Sequence, residues 1–260
     1  MSKKKSAKKT AILRTVLIIL AAMVLLFAVI IGMCLFNERP AVQTAAAYQS
    51  TYCDTVINIA GDGGVEILPQ SRDADTGLIF YVGAQITPDA YIPLLALIAE
   101  QGYACFVPNL TFNMAALEPA AADEIISAHP EIRSWILAGH SMGGLTAAGY
   151  ADDHRDTVDG LIILAAYTGR DMSDAVLPVL SVFGDADGVI NMNHYEERKA
   201  WLPAGFEEHI IPGANHAQYG DYGKQPRDCD AEISAEEQKA QTAAIILDWL
   251  GRHFPEGDSQ

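Results

Sequence analysis

The chain has 260 residues, half of them hydrophobic, which is enough for a sizeable core in one or two domains. Its formal net charge of −16 is unevenly distributed. Residues 1–40 hold seven basic residues and one acidic residue, and the remainder holds ten basic and thirty-two acidic residues. Residues 41–260 therefore carry a net charge of −22, which repels nucleic acid, so we expect no nucleic-acid partner.

The N-terminal segment has the pattern of a membrane anchor. Residues 1–14 form a basic segment with six lysines and arginines, and residues 15–36 contain no charge. As a helix, the second segment rises about 33 Å, which spans a bilayer core of about 30 Å. Because clustered lysines stay in the cytoplasm, the sequence predicts a single-pass signal-anchor helix in the cell membrane, with the rest of the chain on the extracytoplasmic side.

A cleaved signal peptide is the alternative, since residues 45–47 offer a small-residue cleavage site. The apolar run is longer than the usual signal core of about 7–15 residues, and it ends well before that site. We therefore favour an uncleaved anchor. Residues 37–52 are predicted to be a linker, residues 53–255 a folded domain and residues 256–260 a tail.

Short apolar runs alternate with helical patterns along the folded domain. Residues 54–69 predict an antiparallel hairpin with the turn sequence GDGG. The alternation that follows indicates an α/β fold with a mostly parallel sheet and helices on both faces. Buried strands are predicted at 77–83, 103–109, 134–140, 160–167, 177–184 and 207–213, and helices at 88–101, 115–128, 142–152, 191–201 and 235–253.

A serine flanked by glycines stands where the strand 134–140 gives way to the helix 142–152. The sequence Gly139-His140-Ser141-Met142-Gly143 has the G-x-S-x-G form of a nucleophile elbow, a tight turn that projects the serine hydroxyl above the strand ends. Glycine two residues before and two residues after the serine removes a collision between side chains. The simpler alternative is that the serine only caps the helix.

A serine hydroxyl needs a base, oriented by an acid, and on this fold the acid and then the base follow the serine along the chain. Asp185 and Asp187 follow the strand 177–184, and His216 follows the strand 207–213. All three lie at carboxyl ends of strands, where open parallel sheets bind ligands. His216 is therefore the candidate base, and the acid is either Asp185 or Asp187.

From residue 77 to about residue 254, the chain resembles the α/β-hydrolase superfamily and, more narrowly, a compact bacterial family of that fold without a lid. The motifs that carry the resemblance are GHSMGG, LSVFGDADGV and NHAQYGDYG, of which the last is the most specific. The resemblance implies a catalytic triad of Ser141, His216 and Asp187, because the family places the acid three residues after Gly184. Asp185 is then a turn residue.

An acyl-transfer reaction of this kind also needs two backbone N–H donors for the developing oxyanion. Met142, directly after the nucleophile, is one candidate donor. The other is Gly83 or Ala84, in the loop after the strand 77–83. The family more commonly has proline and glycine where this chain has Val82 and Ala84, so the choice between the two donors stays open.

Together these features predict a membrane-anchored serine hydrolase of the carboxylesterase class that cleaves small esters. Many such hydrolases carry a lid between two of the strands, but here only residues 168–176 separate them, which predicts an open pocket. No metal-ligand or dinucleotide motif appears, so we expect neither a metal nor a cofactor. The alternatives are a thioesterase or amidase on the same triad, and a non-catalytic, membrane-tethered binding domain.

The cysteines allow one further hypothesis. Cys105 lies in an apolar strand and is predicted to be inert core packing. If the domain lies outside the cytoplasm, Cys53 and Cys229 are candidates for a disulfide. Two free thiols fit the sequence equally well, because sequence does not give the distance between them.

Overall fold

The computed structural model describes residues 14–26, 28–29, 32, 37–70 and 73–255, which belong to two units, Met1–Glu38 and Arg39–Gln260. In the first unit, residues 14–26 and 28–29 are helical and their side chains are exposed. Among the described residues, no helix is long and apolar enough to cross a membrane. The predicted span over 15–36 is therefore not shown, and residues 27, 30–31 and 33–36 of it lie outside the described residues.

Two other predicted segments fall largely outside the described residues. Residues 1–13 of the basic N-terminus are not described, nor is the predicted tail at 256–260.

In the described part of the second unit, an eight-stranded sheet has the order β1-β2-β4-β3-β5-β6-β7-β8. The first two strands form the predicted antiparallel hairpin, β2 pairs antiparallel with β4, and the pairs from β4 to β8 are parallel. The strands are β1 (Thr55–Ile59), β2 (Val65–Pro69), β3 (Thr76–Tyr81), β4 (Ala104–Val107), β5 (Ser134–His140), β6 (Gly160–Leu164), β7 (Val179–Gly184) and β8 (Glu207–Ile211). The predicted α/β class and mostly parallel sheet are confirmed.

The central strands are buried along their length, as continuous apolar runs predict for a parallel sheet covered on both faces. The helices are α1 (Ala45–Thr51), α2 (Ile92–Ala99), α3 (Ala122–Ala128), α4 (Met142–Asp153), α5 (Met192–Arg198) and α6 (Ala235–His253). Helix α2 packs against α6, and α4 packs across β3, β5 and β6. The Ser234 hydroxyl caps α6 by accepting the N–H of Glu237 at 3.1 Å.

Three predicted helices are shorter than expected, because each is joined to a 3₁₀ turn. The turn Pro88–Tyr91 precedes α2, the turn Ala115–Leu117 precedes α3, and the turn Lys199–Trp201 follows α5. A proline near the start of α2 has no N–H to continue the helical hydrogen bonds from Pro88–Tyr91, and it separates the two segments.

Residues 37–52 differ from the predicted linker, because from Arg39 onward they belong to the folded unit. They contain α1, which the Thr44 hydroxyl caps by accepting the N–H of Ala47, and whose Tyr48 is 2% exposed. The alanine-rich stretch AAAYQST after a threonine was a helix signal in the sequence. We call residues 39–52 the N-terminal strap.

The cysteine hypothesis is not supported, because Cys53 and Cys229 are both exposed free thiols. Cys105 is buried, and burial raises the pKa of its thiol well above the usual range, which fits inert packing. The remaining cysteine, at position 34, lies outside the described residues.

Candidate active site

The elbow predicted at Ser141 is present in the backbone. β5 ends at His140, α4 begins at Met142, and Ser141 between them has φ 55° and ψ −122°. A non-glycine residue with positive φ costs about 1–3 kcal/mol, and such strain persists only where the surroundings fix it. The Ser141 hydroxyl makes no capping hydrogen bond to the helix, which argues against the helix-cap interpretation.

The two glycines of the elbow are required for close backbone contacts. A Cβ on Gly139 would lie 2.4 Å from the carbonyl carbon of Gly143, so the collision is with the backbone and not between two side chains as the sequence predicts. A Cβ on Gly143 would lie 2.0 Å from the carbonyl oxygen of Tyr81, at the end of β3. The second glycine therefore lets the helix approach the neighbouring strand, and so brings Ser141 close to the loop after β3.

The base and acid predicted for the triad lie in direct contact. His216 Nδ1 is 2.8 Å from Asp187 Oδ2, and both side chains are buried, at 1% and 0% exposed. The other carboxylate oxygen of Asp187 accepts the N–H groups of Val189 and Ile190, at 2.8 and 2.9 Å. These two bonds fix the carboxylate and aim its second oxygen at the imidazole.

Asp185 lies elsewhere, as the family resemblance implies for a turn residue. Its carboxylate accepts the N–H of Gly213 at 2.6 Å, which ties the loop after β7 to the loop after β8. Gly184 permits the same approach, since a Cβ there would lie 2.0 Å from the carbonyl oxygen of Ala214. Of the two aspartates that the sequence left open, the structure brings only Asp187 to the histidine.

Asp228, which the sequence analysis did not identify, holds the two loops of the site together. One carboxylate oxygen accepts the N–H of Gly188 at 3.1 Å and the N–H of His216 at 3.2 Å, and the other accepts the N–H of Ala217 at 2.8 Å. The loop of the acid and the loop of the base therefore share one anchor. An aspartate in a polar loop is common, so no sequence signal distinguished it.

Helix α6 supports the histidine loop through a buried amide, which the sequence analysis also missed. Gln238 is fully buried; its Oε1 accepts the Asn215 N–H at 3.0 Å and its Nε2 donates to the Asn215 carbonyl at 2.8 Å. The Asn215 side chain donates to the Cys229 carbonyl at 2.8 Å. The residue before His216 is thus held from two sides.

His140 packs behind the base instead of reaching the serine. Its ring centroid is 4.5 Å from that of His216, and its Nδ1 is 2.9 Å from the Tyr91 hydroxyl oxygen. Burial lowers the pKa of His140 well below its usual range, and the nearby His216 lowers it further. His140 is therefore neutral near pH 7, which avoids a second positive charge against the base.

The hydrogen bonds of the loop after β3 distinguish the two candidates for the second oxyanion donor, Gly83 and Ala84. The Gly83 N–H donates to the Tyr91 hydroxyl at 3.0 Å, and the N–H groups of Gln85 and Ile86 donate to backbone carbonyls. Within the described residues, the Ala84 N–H donates to no acceptor. The contact with Tyr91 could not be predicted, because that tyrosine has the pattern of an ordinary helix-core residue.

Three of the predicted site residues, Ser141, Met142 and His216, line a small, open cavity of about 200 Å³, whereas Asp187, Gly83 and Ala84 do not line it. It is lined by Ser141, Met142, Leu145, Ala165, Ala166, Tyr167, Val189, Ile190, Asn191 and His216. The Nε2 atom of His216 is buried and has no hydrogen-bond partner in the described part of the chain. Most of the lining side chains are apolar, and the polar ones are those of Ser141, His216, Tyr167 and Asn191.

The N-terminal strap lies against two loops of this site. The Arg39 N–H donates to the Gln85 carbonyl at 2.7 Å, and its guanidinium donates to the Gln225 side chain at 2.7 Å. The Tyr48 hydroxyl donates to Asp221 at 2.6 Å. The strap therefore connects the loop after β3 with the loop that follows His216.

In a comparison with protein families, the model of the alpha/beta hydrolase family matches residues 77–240. This range contains the elbow, the Asp187 loop and His216, and it ends within α6. A search of curated proteins finds no match.

Solved structures resemble the fold at low sequence identity. A predicted CIB-like hydrolase from Thermoplasma acidophilum has a TM-score of 0.54 and 16% identity, over 75% of this chain and 99% of its own. Est1E from Butyrivibrio proteoclasticus has a TM-score of 0.53 and 15% identity, over 76% of this chain and 99% of its own. The esterase domain of a Rhodothermus marinus protein has a TM-score of 0.56 and 14% identity, over 76% of this chain and 98% of its own. At this identity, the likeness concerns the fold.

Proposed function

Since the chain belongs to the alpha/beta hydrolase family, we propose that it is a serine hydrolase of the carboxylesterase class. In this proposal Ser141 is the nucleophile, His216 is the general base and Asp187 orients the imidazole. The GHSMGG and NHAQYGDYG motifs support membership of the compact, lid-less bacterial branch of the family.

One observation carries the proposal. A buried carboxylate holds Nδ1 of His216 at 2.8 Å, while Nε2 of the same ring has no partner in the described residues. That ring and the strained Ser141 line the same cavity. A neutral imidazole held by its Nδ1–H has an acceptor lone pair on Nε2, which is what a serine hydroxyl needs in order to lose its proton.

The reaction follows from this arrangement. Ser141 Oγ bonds to the ester carbonyl carbon as its proton passes to His216 Nε2, and the carbonyl oxygen becomes an oxyanion. When that intermediate collapses, the bond to the alcohol oxygen breaks and the imidazolium returns the proton to the alcohol. Water then attacks the acyl-serine in the same manner, which releases the acid and restores the hydroxyl.

The oxyanion is proposed to accept the N–H groups of Met142 and Ala84. Met142 starts α4, where the helix dipole favours negative charge. Ala84 is preferred to Gly83, because the Gly83 N–H already donates to Tyr91.

The substrate is proposed to be a small ester. The cavity of about 200 Å³ is open, and only residues 168–176 stand where a lid would be inserted. Long apolar chains would therefore stay largely in water and lose the stabilisation of about 0.8 kcal/mol that each buried methylene supplies. A thioester or amide would use the same groups, and no observation favours either of them or a non-catalytic binding role.

Labelling with a fluorophosphonate probe tests the proposal. We expect the wild-type protein to be labelled and the modified peptide to contain Ser141, because the probe reacts only with an activated serine. Ser141→Ala should show no label, and Asp185→Asn, outside the triad, should label like the wild type. Absence of label on the folded wild-type protein would reject the proposal in favour of a binding domain.

We also propose that the chain is anchored in the cell membrane by residues 15–36, with the hydrolase outside the cytoplasm. Six basic residues precede this uncharged segment. In the described part of it, large apolar side chains are exposed, among them Leu17, Ile18 and Val24 at 56%, 69% and 68%. Such a surface is unfavourable in water and favourable in lipid.

Protease accessibility tests this topology. Protease added to intact spheroplasts should digest the hydrolase domain, because the basic segment would hold the other end of the chain inside. A cytoplasmic protein followed in the same sample should stay intact. A hydrolase domain that resists digestion until the membrane is permeabilised would contradict the orientation, and recovery in the soluble fraction would contradict the anchor.

A further inference from the structure

Arg198, at the end of α5, carries a positive charge that no acid of the described residues neutralises. In the described residues no carboxylate lies within 4.0 Å of its guanidinium, whereas Arg155, Arg170 and Arg252 each pair with aspartate or glutamate. Within the part of the chain that the structure describes, the Arg198 side chain makes one hydrogen bond, a weak one of 3.5 Å to the Thr168 carbonyl. Arg39 and Arg227 also have no carboxylate within 4.0 Å in the described residues, but Arg198 differs from them in lying beside the cavity of Ser141.

Two aromatic rings hold this guanidinium in place. Its carbon lies 5.1 Å from the ring centroid of Tyr167 and 5.2 Å from that of Trp201, both within cation–π distance. Ring contacts of this kind leave the N–H groups at the edge of the guanidinium available. Those N–H groups form a planar fork that matches a carboxylate.

Arg198 stands next to the cavity of Ser141. Tyr167, which its guanidinium contacts, lines that cavity. Leu145 lines it too, and it also lines a second cavity of about 490 Å³ to which Arg198 contributes. Because both cavities are lined by Leu145, a substrate chain that passes over Leu145 from the serine would reach the space beside Arg198.

The other ionisable groups of the second cavity do not cancel this charge. Asp153 is hydrogen-bonded to Arg170, so their two charges compensate each other. His154 makes a 2.9 Å contact through Nδ1 with the Tyr150 carbonyl. What remains is one positive charge, placed beyond the cavity in which the acyl group is proposed to bind.

We propose that Arg198 binds a carboxylate at the far end of the acyl group, so that the preferred substrates are half-esters of dicarboxylic acids. This inference rests on the proposed esterase function and adds a substrate class to it. Because hydrogen bonds to charged groups are worth more than neutral ones, a terminal carboxylate should raise kcat/KM about 10- to 100-fold over a methyl group at the same position.

Two matched series of p-nitrophenyl esters test the inference. One contains the half-esters of adipic, pimelic and suberic acids, and the other contains the hexanoic, heptanoic and octanoic esters, with the rate of Ser141→Ala subtracted. In the wild type we expect the half-esters to be preferred at one chain length or more. The neutral series should fall as the chain grows, as an open pocket requires.

The variants isolate Arg198 from the overall charge. Arg198→Gln should abolish the preference for half-esters and leave kcat/KM for the neutral series within about twofold. Arg198→Lys should retain part of the preference, because it keeps the charge without the planar fork. Lys199→Gln is the matched control: it removes the same charge one residue away, from a side chain that pairs with Glu196 and Glu208.

The outcomes separate this inference from the function on which it rests. Hydrolysis of neutral esters without a preference for half-esters, or a preference that Arg198→Gln leaves unchanged, would overturn the role of Arg198 alone. An equal loss of the half-ester preference in Lys199→Gln would show that the preference arises from the overall charge of the region, and it would also overturn the role of Arg198. Failure of the wild type to hydrolyse either series, without fluorophosphonate labelling, would instead reject the esterase.

Discussion

Replacing Ser141 with alanine is expected to lower kcat for an activated ester by about 10³-fold or more, and His216→Ala is expected to lower it by a similar factor. Each residue depends on the other, because the imidazole has no proton to accept without the hydroxyl and the hydroxyl stays a poor nucleophile without the imidazole. The double variant should therefore be scarcely slower than either single variant. The measurement is kcat for the three variants, with folding checked by circular dichroism.

The two aspartates near the site provide the control. Asp187→Asn should reduce kcat by a smaller factor than loss of Ser141, since it disturbs the orientation and tautomer of His216 but leaves the pair in place. Asp185→Asn should be close to wild type, because an asparagine oxygen can still accept the N–H of Gly213. Additive losses in the double variant, or full activity of folded Ser141→Ala, would contradict the triad.

The second large effect is expected from Gly143→Ala. The added Cβ would lie 2.0 Å from the Tyr81 carbonyl oxygen, so α4 or β3 has to move. Overpacking of this kind costs about 1–3 kcal/mol of unfolding free energy. Because the same movement displaces Ser141 from the loop of Ala84, we expect kcat to fall by about 100-fold. Urea unfolding and ester hydrolysis measure the two effects.

Gly251→Ala, in α6, is the matched control for that change. Apart from its chain neighbours and the backbone of α6 itself, no atom of the described residues lies within 4 Å of a Cβ at Gly251, so the substitution should be tolerated sterically. Alanine is favoured over glycine inside a helix, by about 1 kcal/mol. We therefore expect a small gain in unfolding free energy and unchanged kcat. A stable and active Gly143→Ala variant would show that the elbow relaxes more easily than its contacts indicate.

The parts of the site that the sequence predicted are those in which local pattern dictates geometry. The elbow glycines follow from a tight turn between a strand and a helix, and the strands follow from apolar runs of the right length. The order of serine, acid and base follows from the fold. The choice of Asp187 over Asp185 came from the family resemblance, since both aspartates follow the same strand.

The parts that it missed depend on contacts between segments distant in sequence. Asp228 joins two loops through three backbone N–H groups, and Gln238 reaches the histidine loop from α6. The Gly83 N–H is hydrogen-bonded to the hydroxyl of Tyr91, eight residues further along the chain. Neither spacing nor hydropathy encodes such pairs, because each side chain has an ordinary local pattern.

The N-terminal strap determines where a shortened chain for purification should begin. Starting at residue 53, the boundary that the sequence predicts, would delete Arg39 and Tyr48, and with them hydrogen bonds to Gln85, Gln225 and Asp221. The buried surface beneath Tyr48 would then face solvent. A shortened chain without the N-terminal apolar segment therefore has to keep residue 39 and everything after it. Otherwise its kcat and KM will be those of a protein in which the loops of the site have lost these contacts.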